Sequence, residues 1–489
     1  MKFKFLKLFG LGFLSLCLFM PQSVLAEEGE DCPDCPKKED RVSEKHVEKE
    51  ERVKLGDVFV HAFGGGAITY TPTSTIVDVD KYVKAGKVEG IDDILMNIAG
   101  IDVMKSSGVP DSQASIMMRG FDDSRFIVAI DGRPLTGSTG KANTSIDWSA
   151  LTLGDIEKIE IIRGGASAAY ESAEGGVINI ITKKGVKRDS PVPRLTYAQD
   201  YSANFDYTDA ISHSERINVD GGIGGLTYFL NYGHRDDDAF LKNNDFKGED
   251  YSARFTYLFP FQGLLLLSHK GSSSEMGNPV VNWPGFAGYD PDYPKVSEDA
   301  DTIKYRAISY NYPGRNYRER YVKNLDVAFE QPIQDKKLKI YYYETENYQQ
   351  FYYFTKTGVP SIYGGNEQTE RHFGGGITLS LYPFENNSLT LGYNFKRTEA
   401  KELHDIFRIH AGYFEDFWKI NDKWDMKTGL RVSKARQQTY PFKFPWEAAS
   451  TRHLYNDWFV LPKFALTYNI RPETNVYVSV SKDYDVPGC

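Results

Sequence analysis

The sequence contains little cysteine, no excess of positive charge and, past its first residues, no long hydrophobic run. Four cysteines in 489 residues exclude a small scaffold stapled by disulfides. A formal net charge of −9 excludes a broad nucleic-acid-binding surface, so we expect no nucleic-acid partner. No stretch after residue 26 approaches the roughly 18 consecutive apolar residues that a membrane helix needs.

Catalytic and metal-binding patterns are missing as well. The histidines are scattered, and the closest pair, His404 and His410, shows no ligand spacing. The glycine run Gly64–Gly66 lacks the Gly-Lys-Ser/Thr ending of a phosphate-binding loop. No nucleophile stands beside a base in a recognisable arrangement. We therefore expect no enzyme activity, no resident metal and no cofactor.

Aromatic residues and glycine are what the sequence does contain in number. It has 32 Tyr, 30 Phe and 43 Gly, yet its mean hydropathy is −0.46. Aromatic side chains in a polar chain suit strands that alternate a wet and an apolar face, with Tyr at lipid–water boundaries. A large secreted β-sandwich or propeller fits the same composition, so composition alone leaves both architectures open.

The N-terminus has the pattern of an export signal. Three lysines within the first seven residues precede the apolar segment Leu8–Met20, which is too short to span a bilayer. The tripeptide Val24–Ala26 ends in the small residue that signal peptidase prefers. We therefore predict a signal peptide at residues 1–26.

Residues 27–54 consist almost wholly of charged side chains, which predicts a disordered tether. Within it, Cys32 and Cys35 have no second cysteine pair that would complete a tetrahedral metal site. We expect a local disulfide or a redox-idle pair, with a metal-capture arm as the alternative. Residues 55–62 are a β-prone segment that could pair with a strand of another protein, or could be the first strand of the next domain.

Residues 69–185 have the pattern of a small α+β domain. Apolar residues at helical spacing predict a helix over 91–98, and Gly100 follows as a stop. Short apolar runs interleaved with turn residues predict strands over the following ranges: 115–118, 126–131 (leading into the turn Asp131-Gly132-Arg133-Pro134), 156–163 and 176–182.

From about residue 190 the pattern changes to alternating hairpins. Ile377, Leu379 and Leu381 point one way, polar neighbours point the other, and the next strand, 389–396, alternates in the same manner after a short turn. Similar hairpins surround turns at 260–263, 331–336, 421–422 and 471–474. Long polar connections separate them, at roughly 235–250, 271–318, 347–370 and 434–455. Short turns on one side and long loops on the other predict a transmembrane β-barrel over 190–489.

Two motifs in the small domain resemble the plug domain of TonB-dependent outer-membrane receptors. They are Gln113–Phe121 and the longer pattern formed by Ile156–Gly165, Tyr170 and Gly175–Thr182. The resemblance implies a membrane all-β barrel of the 22-stranded type with an α+β plug inside. It also implies a ligand that binds from outside, and energy delivered through TonB.

The resemblance assigns roles to particular residues. By position, Asp57, Val58, Phe59 and Val60 look like the TonB box, which pairs with TonB. Arg119, Gly120 and Arg163 match plug positions that contact the barrel, where carboxylates hold the arginines. A bidentate arginine pair could hold the plug and still rearrange under a pull. The alternative for each arginine is a contact within the plug.

The chain departs from the family pattern at several points. Gly165 stands where the family usually has Pro, and Glu171 where Gly is usual. Roughly 300 residues after the plug account for only about 12 to 13 strands, and the chain ends in Val486–Cys489 without the aromatic residue that closes a final strand. We therefore expect a fragment or a prematurely ended reading frame.

The expected function is TonB-dependent uptake of a scarce nutrient, foremost a ferric siderophore, across the outer membrane of a Gram-negative cell. Cobalamin or another metal chelate is the alternative substrate, and a passive porin-like barrel is the alternative of another class. The expected partners are TonB with its inner-membrane energising complex, outer-membrane lipid and a small metal chelate. We expect the receptor to be a monomer.

Overall fold

The computed structural model describes a subset of the chain, all of it within one compact unit, Phe59–Cys489. The described residues are 67–70, 74–84, 90–104, 115–122, 125–135, 148, 151–162, 167–170, 174–187, 192–204, 210–238, 244–277, 317–352, 367–400, 405–439, 454–471 and 474–482. The predicted signal peptide, the tether with Cys32 and Cys35, and the TonB-box-like segment lie outside these residues.

The N-terminal part is a small α+β domain, as predicted. Its main sheet has the strand order β1-β2-β7-β8-β5-β6, and β3 and β4 form a separate hairpin. Only the β5–β8 pair in this sheet is parallel. The elements are β1 (Ile68–Tyr70), β2 (Ser74–Asp78), α1 (Val79–Lys84), α2 (Ile91–Leu95), β3 (Ile101–Met104), β4 (Ser115–Met118), β5 (Ile127–Ile130), β6 (Arg133–Pro134), a 3-10 turn (Leu153–Asp155), β7 (Ile156–Ile162) and β8 (Val177–Thr182).

An aliphatic core holds this domain together. The alternation in β7 buries Ile156, Ile159 and Ile161, and helix α2 adds Ile91 and Ile94 to the same cluster. Burying each such side chain stabilises the fold by about 1.5–3 kcal/mol. Helix α2 is shorter than predicted because its last residues form a turn that leads to Gly100, whose φ of 82° only glycine adopts easily.

The described residues of the C-terminal part form a single antiparallel sheet of 13 strands in chain order, which agrees with the predicted number. Each strand pairs with its neighbour along the chain, so every connection joins adjacent strands. The strands are β9 (Arg194–Asn204), β10 (Ala210–Ile223), β11 (Leu226–Asp237), β12 (Phe246–Leu258), β13 (Leu264–Gly277), β14 (Tyr317–Ile333), β15 (Lys336–Tyr352), β16 (Glu367–Leu381), β17 (Asn387–Ala400), β18 (Asp405–Lys419), β19 (Trp424–Thr439), β20 (Leu454–Arg471) and β21 (Thr474–Ser481).

The short turns agree with the sequence patterns, but the strands are longer than predicted at their other ends. Gln262 and Gln334 adopt φ values of 64° and 56° in the tight turns after β12 and β14. At the opposite end, β13 extends to Gly277 and β15 to Tyr352, well into segments that the sequence predicts as loops. Polar side chains occupy both faces there, so the one-sided apolar signal is lost although the hydrogen-bonded ladder continues.

The sheet has two unlike faces. We call the face whose side chains contact the small domain the inner face, and the opposite one the outer face. The outer face exposes large apolar side chains, such as Leu391 at 41% and Tyr393 at 45%. On the inner face, polar and charged side chains are buried, among them Arg254, Arg318 and Arg431. This polarity is the inverse of a water-soluble sheet and matches strands that face lipid on one side. None of the helices in the described ranges has the length and apolar character to cross a bilayer.

Candidate functional site

The first contact between the small domain and the strands is the tight turn from β5 to β6. Asp131 and Gly132 adopt φ values of 50° and 80°, a pair of left-handed residues that suits an Asp-Gly turn. The turn is held within the small domain because the backbone amide of Gly132 donates to Asn179 at 2.9 Å. It therefore presents two side chains of opposite charge, Asp131 and Arg133, to the inner face.

Each charge of this turn meets an opposite charge on a different strand. Asp131 accepts a 2.7 Å bond from Arg254 of β12, and the same arginine contacts Thr182. Arg133 pairs with Asp326 of β14, with one nitrogen donating at 3.0 Å. Both arginine side chains are buried, and each pair is charge-assisted. The turn thus bridges β12 and β14 across β13.

The carboxyl group of Asp131 responds to these surroundings. Burial alone would raise its pKa, but the Arg254 guanidinium and the hydrogen bonds from Thr182 outweigh that effect. The net result is a pKa below the ordinary value. Asp131 is therefore ionised under physiological conditions, and the ion pair with Arg254 is intact.

A second contact uses the main chain of the segment 167–170. Glu415 of β18 accepts a 2.6 Å bond from the amide of Ala168, and Lys427 stands 3.2 Å from the same carboxylate. Arg431 of β19 donates to the carbonyl oxygen of Ala169 at 3.1 Å. Lys463 of β20 lies 3.5 Å from the carbonyl of Tyr170. Charged strand side chains here bind backbone groups of the small domain.

Tyr170 connects the two contacts. Its hydroxyl donates to the carbonyl oxygen of Gly132 at 3.1 Å, so the second segment is tied to the first turn. Burial, with the nearby Glu160 carboxylate, raises the pKa of this phenol, which stays protonated and able to donate. This hydrogen bond therefore links the two segments within the small domain.

A third contact surrounds the 3-10 turn. Thr152 donates to Asp250 of β12 at 3.0 Å, and Lys270 of β13 lies 3.7 Å from Asp155. Next to this contact is a cavity of about 160 Å³ lined by Trp148, Thr152, Arg216 and Asp250 among others. Ligand pockets usually measure roughly 300–1,000 Å³. The cavity is therefore smaller than a usual ligand pocket.

Two of the residues that the resemblance pointed to, Arg119 and Gly120, take no part in these three contacts. Arg119 follows β4 with a φ of 56° and is exposed, its amide bonded to the carbonyl of Gly100 at 2.8 Å. Among the described residues it makes no ion pair, so it is not one of the contacts seen with the strands. Gly120, with a φ of 80°, is exposed too. Arg163 lies outside the described residues, and its strand contact stays a prediction.

Sequence reasoning missed the residues that make the contacts. The turn Asp131-Gly132-Arg133 could be recognised in the sequence. Nothing in the sequence, however, indicated which residues would pair with its two charged side chains. On the strands the signal was present: Arg254 and Arg431 occupy positions on the polar side of alternating strands, where a buried charge needs a partner. In the described part of the chain, no cluster of three His, Cys, Asp or Glu residues is placed to hold a metal ion.

Comparison with known proteins identifies the small domain. Residues 68–178 match the family model of the TonB-dependent Receptor Plug Domain. The small domain is a TonB-dependent receptor plug. Among solved structures, the plug and the strands together resemble the ferric-catecholate import receptor Fiu from Escherichia coli K12. That match has a TM-score of 0.63 and 15% identity, and it covers 86% of this chain and 70% of Fiu. The fold is that of a TonB-dependent barrel with its plug.

Further relatives match in structure or in sequence. The ferric yersiniabactin uptake receptor FyuA from Yersinia pestis matches with a TM-score of 0.63 and 16% identity, covering 85% of this chain and 66% of FyuA. In sequence, the vitamin B12 transporter BtuB of Vibrio vulnificus (strain CMCP6) is 28% identical over 37% of this chain and 30% of its own length. The ferrienterobactin receptor of E. coli K12 is 23% identical over 68% of this chain and 47% of its own length. The chain thus spans less than half of these two sequence relatives.

Proposed function

We propose that the protein takes up a ferric siderophore across the outer membrane with energy delivered through TonB. The observation that carries this proposal is a TonB-dependent receptor plug bound to the inner face of barrel strands through separate polar contacts. Contacts of this kind can break one after another and re-form, which suits a plug that moves and returns. In this proposal residues 1–26 direct export, 69–185 form the plug and 190–489 the membrane-spanning part of a monomeric receptor.

The choice of substrate is supported by the relatives. The ferrienterobactin receptor, the ferric-catecholate import receptor and the ferric yersiniabactin uptake receptor all carry a ferric siderophore in their names. The vitamin B12 transporter keeps cobalamin as the second candidate. These relatives are transporters and receptors, and we propose the same role here in place of an enzyme.

A passive porin is the alternative of another class. A porin needs an open lumen, whereas the inner face here is occupied by a plug with an aliphatic core of its own. The described gap next to the 3-10 turn measures about 160 Å³, which is less than a usual ligand pocket. The occupied lumen therefore favours energised transport.

The partner in this proposal is TonB with its inner-membrane complex. We assign its binding to Asp57, Val58, Phe59 and Val60, where an extended segment can add a strand to the edge of another sheet. The charged residues 27–54 precede this box and give it reach. Residues 57–60 lie outside the described part of the chain, so the assignment comes from the sequence pattern.

The test is uptake of iron-labelled enterobactin, with labelled cyanocobalamin in parallel, by cells that carry the gene. We expect accumulation of the ferric siderophore in cells with TonB and none in cells without it. Uptake that persists without TonB would favour the passive barrel, and TonB-dependent uptake of cyanocobalamin alone would reassign the substrate.

A pair of proline variants tests the box. Val58→Pro removes a backbone donor and blocks strand addition, so uptake should fall to the level of cells without TonB while the ligand still binds at the cell surface. Glu50→Pro, in the charged tether, is the matched control and should transport normally. Equal transport by both variants would contradict the assignment of residues 57–60 as the TonB box.

A further inference from the structure

Two pairs of tyrosine rings are stacked on the outer face, where β14 and β15 approach the long connections. Tyr317 of β14 is directly opposite Tyr352 of β15, and Tyr321 is directly opposite Tyr348. The ring centroids are 4.4 Å apart in the first pair and 4.6 Å apart in the second, and the planes differ by 12° and 10°. Asp326 of β14 contacts the plug, so the alternation along the strand places these tyrosines on the outer face. We call them the tyrosine pairs.

The position of these tyrosines is ordinary for a barrel, but their stacking is not. Toward the short turns the outer positions are apolar, as at Leu325 of β14 and Leu430 of β19, and we call this band the apolar belt. Aromatic residues are common at the edge of such a belt. Tyr232 of β11 and Tyr251 of β12 are also directly opposite on the outer face. In the described residues these two rings do not contact each other, and Tyr251 packs against His269 with 5.5 Å between centroids.

The hydroxyl groups of the tyrosine pairs contact groups that can take up a proton. Tyr321 donates to the carboxylate of Glu346 at 3.0 Å. The hydroxyl of Tyr352 lies 3.0 Å from a carboxylate oxygen of Glu319 and 2.8 Å from the amide oxygen of Gln350. A phenol loses an electron more readily when its proton moves at the same time to a hydrogen-bonded base. Carboxylates at about 2.6–3.2 Å are placed to accept that proton.

We propose that the tyrosine pairs are a site of oxidative modification, at which hydrogen peroxide activated by iron couples each pair into dityrosine. Each phenol loses one electron and its hydroxyl proton. The two phenoxyl radicals join through the ring carbons next to the oxygens, and the hydrogens of these two carbons move to the oxygens. One peroxide molecule takes up the two electrons and two protons and leaves as two water molecules, while the iron returns to its starting oxidation state.

The geometry of the tyrosine pairs suits this coupling. Both side chains of a pair leave the same face of the sheet at directly opposite positions, so their hydroxyl ends lie side by side. The near-parallel rings therefore hold the two coupling carbons close together. The new bond fastens β14 to β15 next to the connections 278–316 and 353–366. The inference goes beyond the proposed function, and only the supply of iron to this end of the strands rests on it.

The first experiment oxidises the purified full chain in neutral detergent with photo-excited tris(bipyridine)ruthenium and persulfate, a one-electron oxidant that needs no siderophore. Trypsin separates the four tyrosines into three peptides, which are Asn316–Arg318 with Tyr317, Tyr321–Lys323 with Tyr321, and Ile340–Lys356 with both partners. We expect mass spectrometry to detect each short peptide joined to the long one, with two hydrogen atoms lost per link.

The two links should form at different rates. The ammonium of Lys323 lies 4.8 Å from the ring centroid of Tyr321, and a cation in that position opposes the loss of an electron. The link from Tyr317 should therefore accumulate first.

Two variants test the assignment. Tyr352→Phe keeps the stacked ring but cannot form a phenoxyl radical, so it should lose the link from Tyr317 and keep the link from Tyr321. Glu346→Gln keeps a hydrogen-bond acceptor but takes up a proton less readily, so it should slow only the link from Tyr321. The matched control is Tyr393→Phe, which removes an exposed outer-face tyrosine whose ring contacts His410, and it should form both links.

The pair of Tyr232 and Tyr251 provides a comparison within the same molecule. Tyr232 is 39% exposed, so exposure alone would favour its oxidation. Because the two rings are not stacked, we expect no link between the tryptic peptides Ile217–Arg235 and Gly248–Arg254. A yield of this link equal to that of the tyrosine pairs would overturn the inference. Failure of the tyrosine pairs to couple, or an unchanged link from Tyr317 in Tyr352→Phe, would overturn it as well.

The second experiment tests the oxidant in cells that carry the gene. Hydrogen peroxide given with ferric enterobactin should produce both links, and peroxide given without an iron chelate should produce neither. Links of equal yield without iron would overturn the assignment of the oxidant. Uptake of ferric enterobactin is measured on the same cells, and links that form in cells without TonB support this inference whatever becomes of the proposed transport function.

Discussion

Two segments of the plug contact the barrel strands by different means. The turn at residues 131–133 uses its own side chains, Asp131 and Arg133, to pair with Arg254 and Asp326. The segment 167–170 is bound mainly through its backbone groups, by Glu415, Arg431 and Lys463, and the Ser167 side chain adds a hydrogen bond to Glu415. The first contact therefore depends on side chains of both the plug and the strands. The second depends almost entirely on side chains of the strands.

This difference determines which substitutions each contact tolerates. At Ala168 and Ala169, any residue that keeps the backbone in place preserves the contact, because amide and carbonyl groups are present in every residue. At the turn, by contrast, a change on either side leaves a buried charge without its partner. Substitutions on the plug side and on the strand side should thus have unequal effects in the two regions.

The largest effect is expected from Arg431→Leu. Arg431 is 2% exposed and donates to the carbonyl of Ala169 and to Asn394 at 3.0 Å, so its loss leaves buried acceptors unsatisfied. We expect the free energy of plug unfolding in urea, followed by tryptophan fluorescence, to fall by about 3 kcal/mol. Ala169→Ser keeps the carbonyl and should change the same quantity by less than about 0.5 kcal/mol. A serine variant as unstable as the leucine variant would break the proposed asymmetry.

A smaller and pH-dependent effect is expected from Asp131→Asn. At pH 7 the variant leaves Arg254 without its counter-charge, which costs about 2 kcal/mol. The pKa of Asp131 is lower in the folded protein than in the unfolded chain. The ionised carboxylate therefore stabilises the plug fully above about pH 4, the ordinary Asp pKa, and less as the pH falls through the lowered value.

The measurement is the urea midpoint of the original protein and of Asp131→Asn between pH 7 and pH 2. The gap between the two should be widest at pH 7 and should close below about pH 4. Asp102→Asn removes an exposed carboxyl group on β3 and serves as the control, with midpoints close to those of the original protein throughout. A gap that stays constant down to pH 2 would mean that the charge of Asp131 does not hold the turn.

The smallest effect is expected from Arg119→Gln. The side chain of Arg119 is exposed, so its loss should change the free energy of plug unfolding by no more than about 0.5 kcal/mol. Arg133→Gln, which removes a buried arginine from Asp326, should cost several times more. The reverse order would support the role that the family resemblance assigned to Arg119.

The sequence predicted the local structure of the plug closely. Strand β4 has the predicted bounds, β7 follows the prediction to Ile162, where the described residues end, and β8 begins one residue later than predicted, at Val177. These strands are short, apolar and bounded by glycine or turn residues, so the local pattern and the hydrogen-bonded ladder agree. The tight turns between barrel strands were predictable for the same reason.

The contacts between plug and barrel could not be predicted. Asp131 and Arg254 are 123 positions apart in sequence, and their meeting depends on how the whole plug is rotated against the strands. The apolar–polar periodicity of the sequence contains no information about that rotation. The ends of the strands were missed for another reason: β19 continues to Thr439 although the sequence predicts a loop from residue 434. Past the apolar belt both faces are polar, and alternation no longer separates strand from loop.

The neighbours Leu430 and Arg431 in β19 face lipid and plug respectively, because successive side chains leave a strand on opposite sides. Deleting one residue on the N-terminal side of this pair within β19 would exchange the two environments, placing a guanidinium in the bilayer and a leucine against the plug carbonyls. The alternation of lipid-facing and plug-facing positions along each strand should therefore be conserved as strictly as individual side chains. Insertions and deletions among descendants of this gene should accumulate in the connections. The number of residues in each strand should stay the same.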